Sequence, residues 1–289
     1  MRVCSHKLNN QEGVALAIVV WFIAGMSLLV AGIVAHARVD NKLTQLHMAE
    51  AKTVAAGDGA IQLMMVDSMM AEVMQATMAR SYRLGGQEVA VVLTPTSGLI
   101  NLNSAPVPLL AALFLFTGEL NEEASLQLAE NIVAARRTGP FNRGVKLMAL
   151  EDVLRIPGTS RSLLDAIRDL VVIGESSRGG IDWSKAPDEV LEVLAKADPA
   201  RAESVRSRRA EAGGSNSLRP AASANPGANA GTLSGAYRAD AIVRHGDQVW
   251  LRRRWLSIES SPASALPWHF TRTESPRVVR NRFRFRDEA

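Results

Sequence analysis

The hydrophobic pattern begins with one long apolar segment. Residues 14–35 contain no charged side chain and follow a short polar leader, residues 1–13. As an α-helix with a rise of about 1.5 Å per residue, the segment would extend about 33 Å. That length is enough to cross a bilayer core of about 30 Å. The pattern therefore predicts a membrane-spanning helix near the start of the chain.

The helical pattern continues past the apolar segment. Residues 40–80 contain no proline, and apolar residues recur there at four-residue spacing on one helix face. These residues are Ile61, Met65, Met69 and Val73. Gly57 and Gly59 weaken the helix by about 1 kcal/mol each relative to alanine. We therefore predict a transmembrane and spine helix over residues 14–84. Its later methionines are predicted to be adaptable core side chains; they are Met64, Met65, Met69, Met70, Met74 and Met78.

The period of the pattern then changes. Residues 89–93 are typical of a short buried strand, and residues 237–245 and 248–258 alternate with a period of two around a two-residue turn. Residues 100–212 instead show helical spacing and no strand signal. Because strands lie on both sides of the helical region, the pattern predicts an α+β fold in which one sheet is interrupted by helices.

The domain boundaries follow from these changes. The predicted small antiparallel sheet consists of residues 85–99 and 236–260, and the large inserted all-α domain of residues 100–212. Residues 213–235 form a low-complexity loop rich in Ala, Ser, Asn, Gly and Pro. Residues 261–289 form an Arg-rich tail, much of which we expect to be loosely ordered.

One short motif occurs twice in the predicted α domain. Residues 100–106, Ile-Asn-Leu-Asn-Ser-Ala-Pro, recur as Ile-Asp-Trp-Ser-Lys-Ala-Pro at residues 181–187. Asn101 in the first copy is matched by Asp182 in the second, and Ser104 is a candidate helix cap. Each copy ends in a proline at a helix start, where its missing N–H does no harm. The recurrence predicts two related helical units.

Composition and motifs argue against catalysis. The net charge of +4 permits contact with nucleic acid or anionic lipid without implying it. The one cysteine, Cys4, excludes a disulfide framework or a cysteine-based zinc site within the chain. The sequence has no G-x-S-x-G, P-loop or H-E-x-x-H motif. We therefore predict that the chain is not an enzyme.

Three interpretations of the N-terminus compete. Ala35-His36-Ala37 resembles the cleavage site of a secretory signal peptide, although the apolar segment exceeds the usual length of about 7–15 residues. A plain membrane anchor would explain the apolar segment alone. In the third interpretation, the polar leader that ends at Gly13, directly before Val14, resembles a type IV prepilin junction. Positive charges on both sides of the segment do not decide its orientation.

Nucleic-acid binding is the alternative function from a different class. Residues 154–161, Leu-Arg-Ile-Pro-Gly-Thr-Ser-Arg, resemble the turn of a helix-hairpin-helix motif, whose backbone amides hold phosphate. Arginines would supply the counter-charge. The turn has one glycine where the DNA-binding form usually has two, and strand alternation separates Arg253 from Arg252 and Arg254. These departures favour a protein without a nucleic-acid partner.

Calcium binding is left open. The oxygen-bearing residues that could contribute ligands are Asn101, Asn103, Asp182, Asp240 and Asp247. Helix-cap and turn chemistry accounts for the first three, and the sequence has no D-x-D-x-D-G loop. No metal ligand is therefore assigned.

Together, several segments resemble the K-type minor pseudopilin of the bacterial type II (general) secretion system. The matching segments are residues 13–16 at the prepilin junction, 49–57, 100–106, 141–158 and 181–187. The resemblance implies cleavage between Gly13 and Val14 by a prepilin peptidase, and methylation of the new N-terminus. The fifth mature residue would be Ile18, where pseudopilins usually have a glutamate that neutralises a neighbouring subunit's amine. The missing acid suits a subunit at one end of a fibre.

The same resemblance implies an architecture, a location and partners. The sheet would be pilin-like, and the chain would cross the bacterial inner membrane once, with a cytoplasmic N-terminus and a periplasmic C-terminal domain. The implied role is non-catalytic. With I-type and J-type minor pseudopilins the protein would form a tip complex that initiates or caps a pseudopilus of further pseudopilins during protein export. Some family members bind calcium in the pilin-like domain, and no other cofactor is implied.

Overall fold

The computed structural model describes residues 11–70, 77–137, 146–174, 180–216, 235–258 and 266–279. The chain divides into two compact units, Met1–Lys52 and Thr53–Ala289. Helix α1, Gln11–Met70, supplies every described residue of the first unit and the first residues of the second. Most of the predicted leader, residues 1–10, lies outside the described residues.

Within the second unit, one face of α1 forms part of a core. Ala60, Ile61, Met64 and Met65 are fully buried, and Met69 packs beside them. These positions recur at intervals of three and four residues, so they share one helix face. The burial of Met64 and Met65, with Met69 packed beside them, confirms the prediction of core side chains for these methionines.

A β-hairpin follows α1. Its strands are β1, Met78–Leu84, and β2, Gln87–Pro95, which pair antiparallel. The turn between them is formed by Gly85 and Gly86, whose φ angles of 55° and 77° lie in the left-handed region that favours glycine.

The predicted extension of the spine helix to residue 84 is therefore wrong. Met78, Tyr82 and Leu84 pack against the core of the second unit at even spacing. A strand places such residues on one face, whereas a helix does not. Pairing with β2 also satisfies the backbone groups along one edge of β1, and the hairpin outweighs the local helical pattern.

The helical insertion begins after β2. In chain order its elements are β3 (Ile100–Asn101), α2 (Val107–Phe116), α3 (Glu122–Arg137), α4 (Arg161–Ile167), β4 (Val171–Val172), α5 (Asp188–Ala197) and α6 (Pro199–Asn216). Short 3-10 helices lie at Thr96–Gly98 and Leu150–Arg155. Strands β3 and β4 pair in parallel, which corrects the prediction of an insertion without strands. Two-residue strands are too short to produce a periodic pattern.

The chain then returns to the sheet. Its remaining strands are β5 (Gly235–His245), β6 (Gln248–Ile258), β7 (Trp268–Thr273) and β8 (Arg277–Val279). The sheet order is β1-β2-β5-β6-β7, and β8 also pairs with β6. Thr94 of β2 lies opposite Arg238 of β5, so the chain leaves and re-enters the sheet at adjacent strands. The predicted fold class, a long helix with a small antiparallel sheet and a large helical insertion, is confirmed.

The expected loose order of the tail is wrong for residues 266–279. Strands β7 and β8 lie one after the other along the same edge of β6 and complete its hydrogen bonding. The side chain of Trp268 is buried in the core. An unpaired β6 edge would expose a row of backbone donors and acceptors, which is the physical reason for this pairing. Residues 217–234 of the predicted loop, and 261–265 and 280–289 of the tail, lie outside the described residues.

Candidate functional site

Residues 16–35 of the first unit present an almost wholly apolar helix surface. Exposed large side chains along it include Leu16, Ile18, Trp21, Phe22, Ile23, Leu28, Leu29 and Ile33. The apolar window of this helix has a mean hydropathy of 2.5 and is 0% buried. Exposed to water, such a surface is unfavourable by about 25 cal/mol per Å². Among the described residues, this is the one helix long and apolar enough to cross a membrane.

The residues of the predicted processing site lie together near the start of α1. The helix begins at Gln11, so the backbones of Gly13 and Val14 are already helical. Ile18 lies about one helical turn after Val14 along the backbone of α1. Ile18 is 64% exposed. The structure thus places these residues next to one another, and their roles in cleavage and assembly stay predictions.

A charged contact joins the second-unit part of α1 to β6. Arg252 donates to both carboxylate oxygens of Asp58, at 2.8 and 3.0 Å, and Arg254 lies 3.7 Å from the same carboxylate. Gly57 permits this approach, because a Cβ there would lie 3.0 Å from the Cβ of Arg252 and 3.4 Å from that of Ala241. A glycine that the sequence presents only as a weak point in α1 therefore has a packing role.

A second set of charges, which we call the Asp240 cluster, lies on the opposite face of the sheet. Arg253 donates to both oxygens of Asp240, at 2.6 and 2.9 Å, and Arg238 lies 3.0 Å from the same carboxylate. Asp169, between α4 and β4, contacts Arg253 and Arg277, each at 2.8 Å. These contacts fasten the inserted domain to the sheet.

The Asp240 cluster is deeply buried. The side chains of Asp240 and Arg253 are each 1% exposed. Burial raises the pKa of Asp240, but the charges of Arg238 and Arg253 outweigh it and hold that pKa below its ordinary value. Sequence analysis missed this cluster, although an aspartate within the otherwise apolar strand β5 was an available signal. The predicted separation of Arg253 from Arg252 and Arg254 is confirmed.

The two copies of the repeated motif form matching turns. Asn101 Oδ1 accepts the backbone N–H of Asn103 at 2.8 Å, and Asp182 Oδ1 accepts that of Ser184 at 3.2 Å. Each turn leads to a proline that occupies the cap position of the next helix, α2 or α5. The two copies therefore share local geometry. The helix cap predicted at Ser104 is wrong, because proline takes that position.

Each motif copy also contacts a segment outside the motif: the second copy contacts the 3-10 helix Thr96–Gly98, and the first contacts Leu147. The backbone N–H of Asp182 donates to the Ser97 carbonyl at 2.8 Å, and a Cβ at Gly98 would overlap the carbonyl of Lys185. Asn103 accepts the N–H of Leu147 and donates to its carbonyl, both at 2.9 Å. The motif therefore builds the scaffold of the inserted domain.

The residues considered as calcium ligands are engaged in other contacts or lie in a turn. In the part of the chain that the structure describes, no three His, Cys, Asp or Glu residues are grouped so that they could hold a metal ion. The side chains of Asn101, Asn103 and Asp182 accept backbone N–H groups, and Asp240 is paired with arginines. Asp247 lies in the turn between β5 and β6. Calcium binding stays an expectation of the resemblance.

The turn before α4 differs from a phosphate-binding hairpin. The element preceding it is a 3-10 helix, Leu150–Arg155, rather than an α-helix. The Pro157 carbonyl accepts a hydrogen bond from Asn131 at 3.1 Å. Ser162, in the first turn of α4, donates to the Glu119 carboxylate at 2.7 Å. This negative charge would repel a phosphate, so the geometry disfavours nucleic-acid binding here.

Comparisons with known proteins leave the family open. No family model matches the chain, and no curated protein is detectably similar to it in sequence. Among solved structures, it is similar to a chain of the GspK-GspI-GspJ complex from the type 2 secretion system of enterotoxigenic Escherichia coli. That similarity has 14% sequence identity and a TM-score of 0.46, and covers 83% of this chain and 99% of the other. Functional inference therefore depends on the residues and contacts of this chain itself.

Proposed function

We propose that the protein is a membrane-anchored, non-catalytic minor pseudopilin of the K type in a type II secretion system. The observation that carries this proposal is the unbroken helix α1, Gln11–Met70. Its beginning is apolar and exposed, and its end is part of the core beneath an antiparallel sheet. Cleavage after Ala37, as in a signal peptide, would cut within this helix. Cleavage after Gly13 would leave both its apolar and its core-forming parts in the mature chain.

Two features support a position at the tip of the fibre. The Asp240 cluster fastens a large helical domain to the sheet, and a subunit within the fibre would have to accommodate that bulk between its neighbours. Ile18 offers no carboxylate to neutralise the amine of an adjacent subunit. I-type and J-type minor pseudopilins are the proposed partners. The proposed location is the inner membrane, with the N-terminus in the cytoplasm and the second unit in the periplasm.

Processing is the direct test of this proposal. The full chain is co-expressed with a prepilin peptidase, and the mature N-terminal residue is identified by mass spectrometry. We expect the mature chain to begin at a methylated Val14, and Gly13→Ala to remain uncleaved. An Ala37→Leu variant serves as the control, because it alters only the competing signal-peptide site. Cleavage after Ala37 in the unaltered chain would overturn the proposal.

Partner binding tests the tip role separately. The full chain, solubilised from membranes in detergent, is used to capture co-expressed I-type and J-type pseudopilins. We expect both to be retained. Retention of neither partner, together with salt-sensitive binding to duplex DNA, would favour the helix-hairpin-helix alternative.

A further inference from the structure

A pocket with a volume of about 390 Å³ lies between the two copies of the repeated motif. Pro106 comes from the first copy, and Ile181 and Trp183 come from the second. Leu109 of α2 and Leu194 of α5 complete its apolar lining. Pockets of about 300–1,000 Å³ with a mainly apolar lining and a few polar groups are typical ligand sites. The size of this one suits one or two side chains.

The walls of the pocket are held in place by two arginines. Arg136 donates to the Ala105 carbonyl at 2.8 Å. Arg209 donates to the carbonyls of Trp183 and Ala186. These three bonds fix main-chain segments at the pocket, so little ordering would be needed when a ligand enters. Such preorganisation favours binding.

At the mouth of the pocket, Arg201 contributes a positive charge and Asp198 a negative one. The Arg201 guanidinium lies over the Trp183 ring, 5.8 Å from its centroid. Asp198 also lines the pocket, but its Oδ1 accepts the backbone N–H of Arg201 at 3.0 Å and caps α6. No carboxylate of the described residues lies within salt-bridge distance of the Arg201 side chain. This guanidinium is therefore available to a ligand.

We propose that this motif pocket binds an extended segment of a partner protein in which a large apolar side chain precedes an acidic residue. The apolar side chain would enter between Leu109, Ile181 and Leu194, and the carboxylate would pair with Arg201 at the mouth. A guanidinium–carboxylate hydrogen bond is stronger than one between neutral groups. The proposal goes beyond the pseudopilin role and does not depend on it, because the pocket lies wholly within the inserted domain.

Two matched peptides provide the test. Both are fluorescently labelled hexapeptides with blocked ends, and they differ only in a central Phe-Glu or Phe-Lys pair. Binding to the full chain in detergent is measured by fluorescence anisotropy, so no other secretion component is needed. We expect the Phe-Glu peptide to bind at least about tenfold more tightly than the Phe-Lys peptide, a difference of about 1.4 kcal/mol.

Three variants locate the binding site. Arg201→Glu should reverse the preference between the two peptides, and Ala197→Trp should abolish binding by filling the pocket. Arg208→Glu makes the same charge change on α6 outside the pocket lining and should leave binding unchanged. Circular dichroism confirms that each variant is folded. Three results would each overturn the proposal. They are equal binding of both peptides, no binding of either peptide at a concentration of about 1 mM, and binding that persists in Ala197→Trp.

Discussion

The Asp240 cluster offers a quantitative test of how the inserted domain is held. We expect Asp240→Asn to lower the free energy of unfolding by about 3–5 kcal/mol, the usual cost of removing one partner from a buried ion pair. The facing side chains of Arg253 and Arg238 are only 1% and 7% exposed, so water cannot replace the lost charge. Asparagine has nearly the volume of aspartate, so the loss reports charge rather than packing.

The assay is chemical denaturation of the full chain in detergent, followed by tryptophan fluorescence. Trp255 is a useful reporter, because its Nε1 donates to Glu274 on the same side of the sheet, at 3.2 Å. The matched control is Asp165→Asn, which removes a carboxylate that is 56% exposed beside Arg168. An exposed ion pair contributes less than about 1 kcal/mol. Equal losses in the two variants would refute the reasoning.

The same cluster predicts a dependence on pH. Because the pKa of Asp240 is lowered in the folded protein, its contribution to stability is fully present above the ordinary value of 3.8. That contribution is lost as the pH falls through the lowered pKa. Below about pH 4, the unaltered chain should therefore lose stability more steeply than Asp240→Asn. Coinciding acid profiles would show that Asp240 does not carry the effect.

Three further substitutions test two contacts of the second unit and the proposed assembly role of Ile18. Gly57→Leu should lower the free energy of unfolding, measured by denaturation, by about 1–3 kcal/mol, because the new side chain would meet Arg252. The control is Ala55→Leu on the exposed face of the helix, and a loss no larger than that of the control would contradict this prediction. Asn103→Ala should lower the free energy of unfolding by about 1–3 kcal/mol, because both backbone groups of Leu147 lose their partner. An unchanged denaturation midpoint would contradict this prediction. Under the proposed function, Ile18→Glu restores the acid at the fifth mature position, so the chain should be recovered within overproduced pseudopili by immunogold microscopy. The Ile18→Leu chain should not be recovered in the pseudopili, and equal recovery of the two variants would count against the tip role.

Much of the architecture could be predicted because it depends on local patterns. The apolar run of α1 is continuous, and the strands β5 and β6 alternate around Gly246-Asp247. The repeated Asn or Asp before proline produced two turns of one kind, because a short polar side chain accepts the N–H two residues later. In each case the residues that determine the structure are neighbours in the sequence.

Other features could not be predicted because they depend on contacts between elements, which the pattern within one element does not show. Strand β1 sits within a helical pattern, and its conformation depends on pairing with β2. The tail becomes β7 and β8 because β6 offers an open edge. The motif pocket needs segments more than seventy residues apart, so neither copy of the motif indicates a cavity by itself.

The sequence by itself therefore determined the apolar helix, the two strand regions and the helical insertion between them, since periodicity reports which face of each element is apolar. The tertiary structure alone decided which charges meet. Asp240, Arg253 and Asp169 form one buried cluster only because β5, β6 and the α4–β4 junction come together. The packing role of Gly57 likewise depends on tertiary structure, because it arises from the close approach of α1 to Arg252. Charge pairing and close approach depend on distances between elements, and no pattern within a single element specifies them.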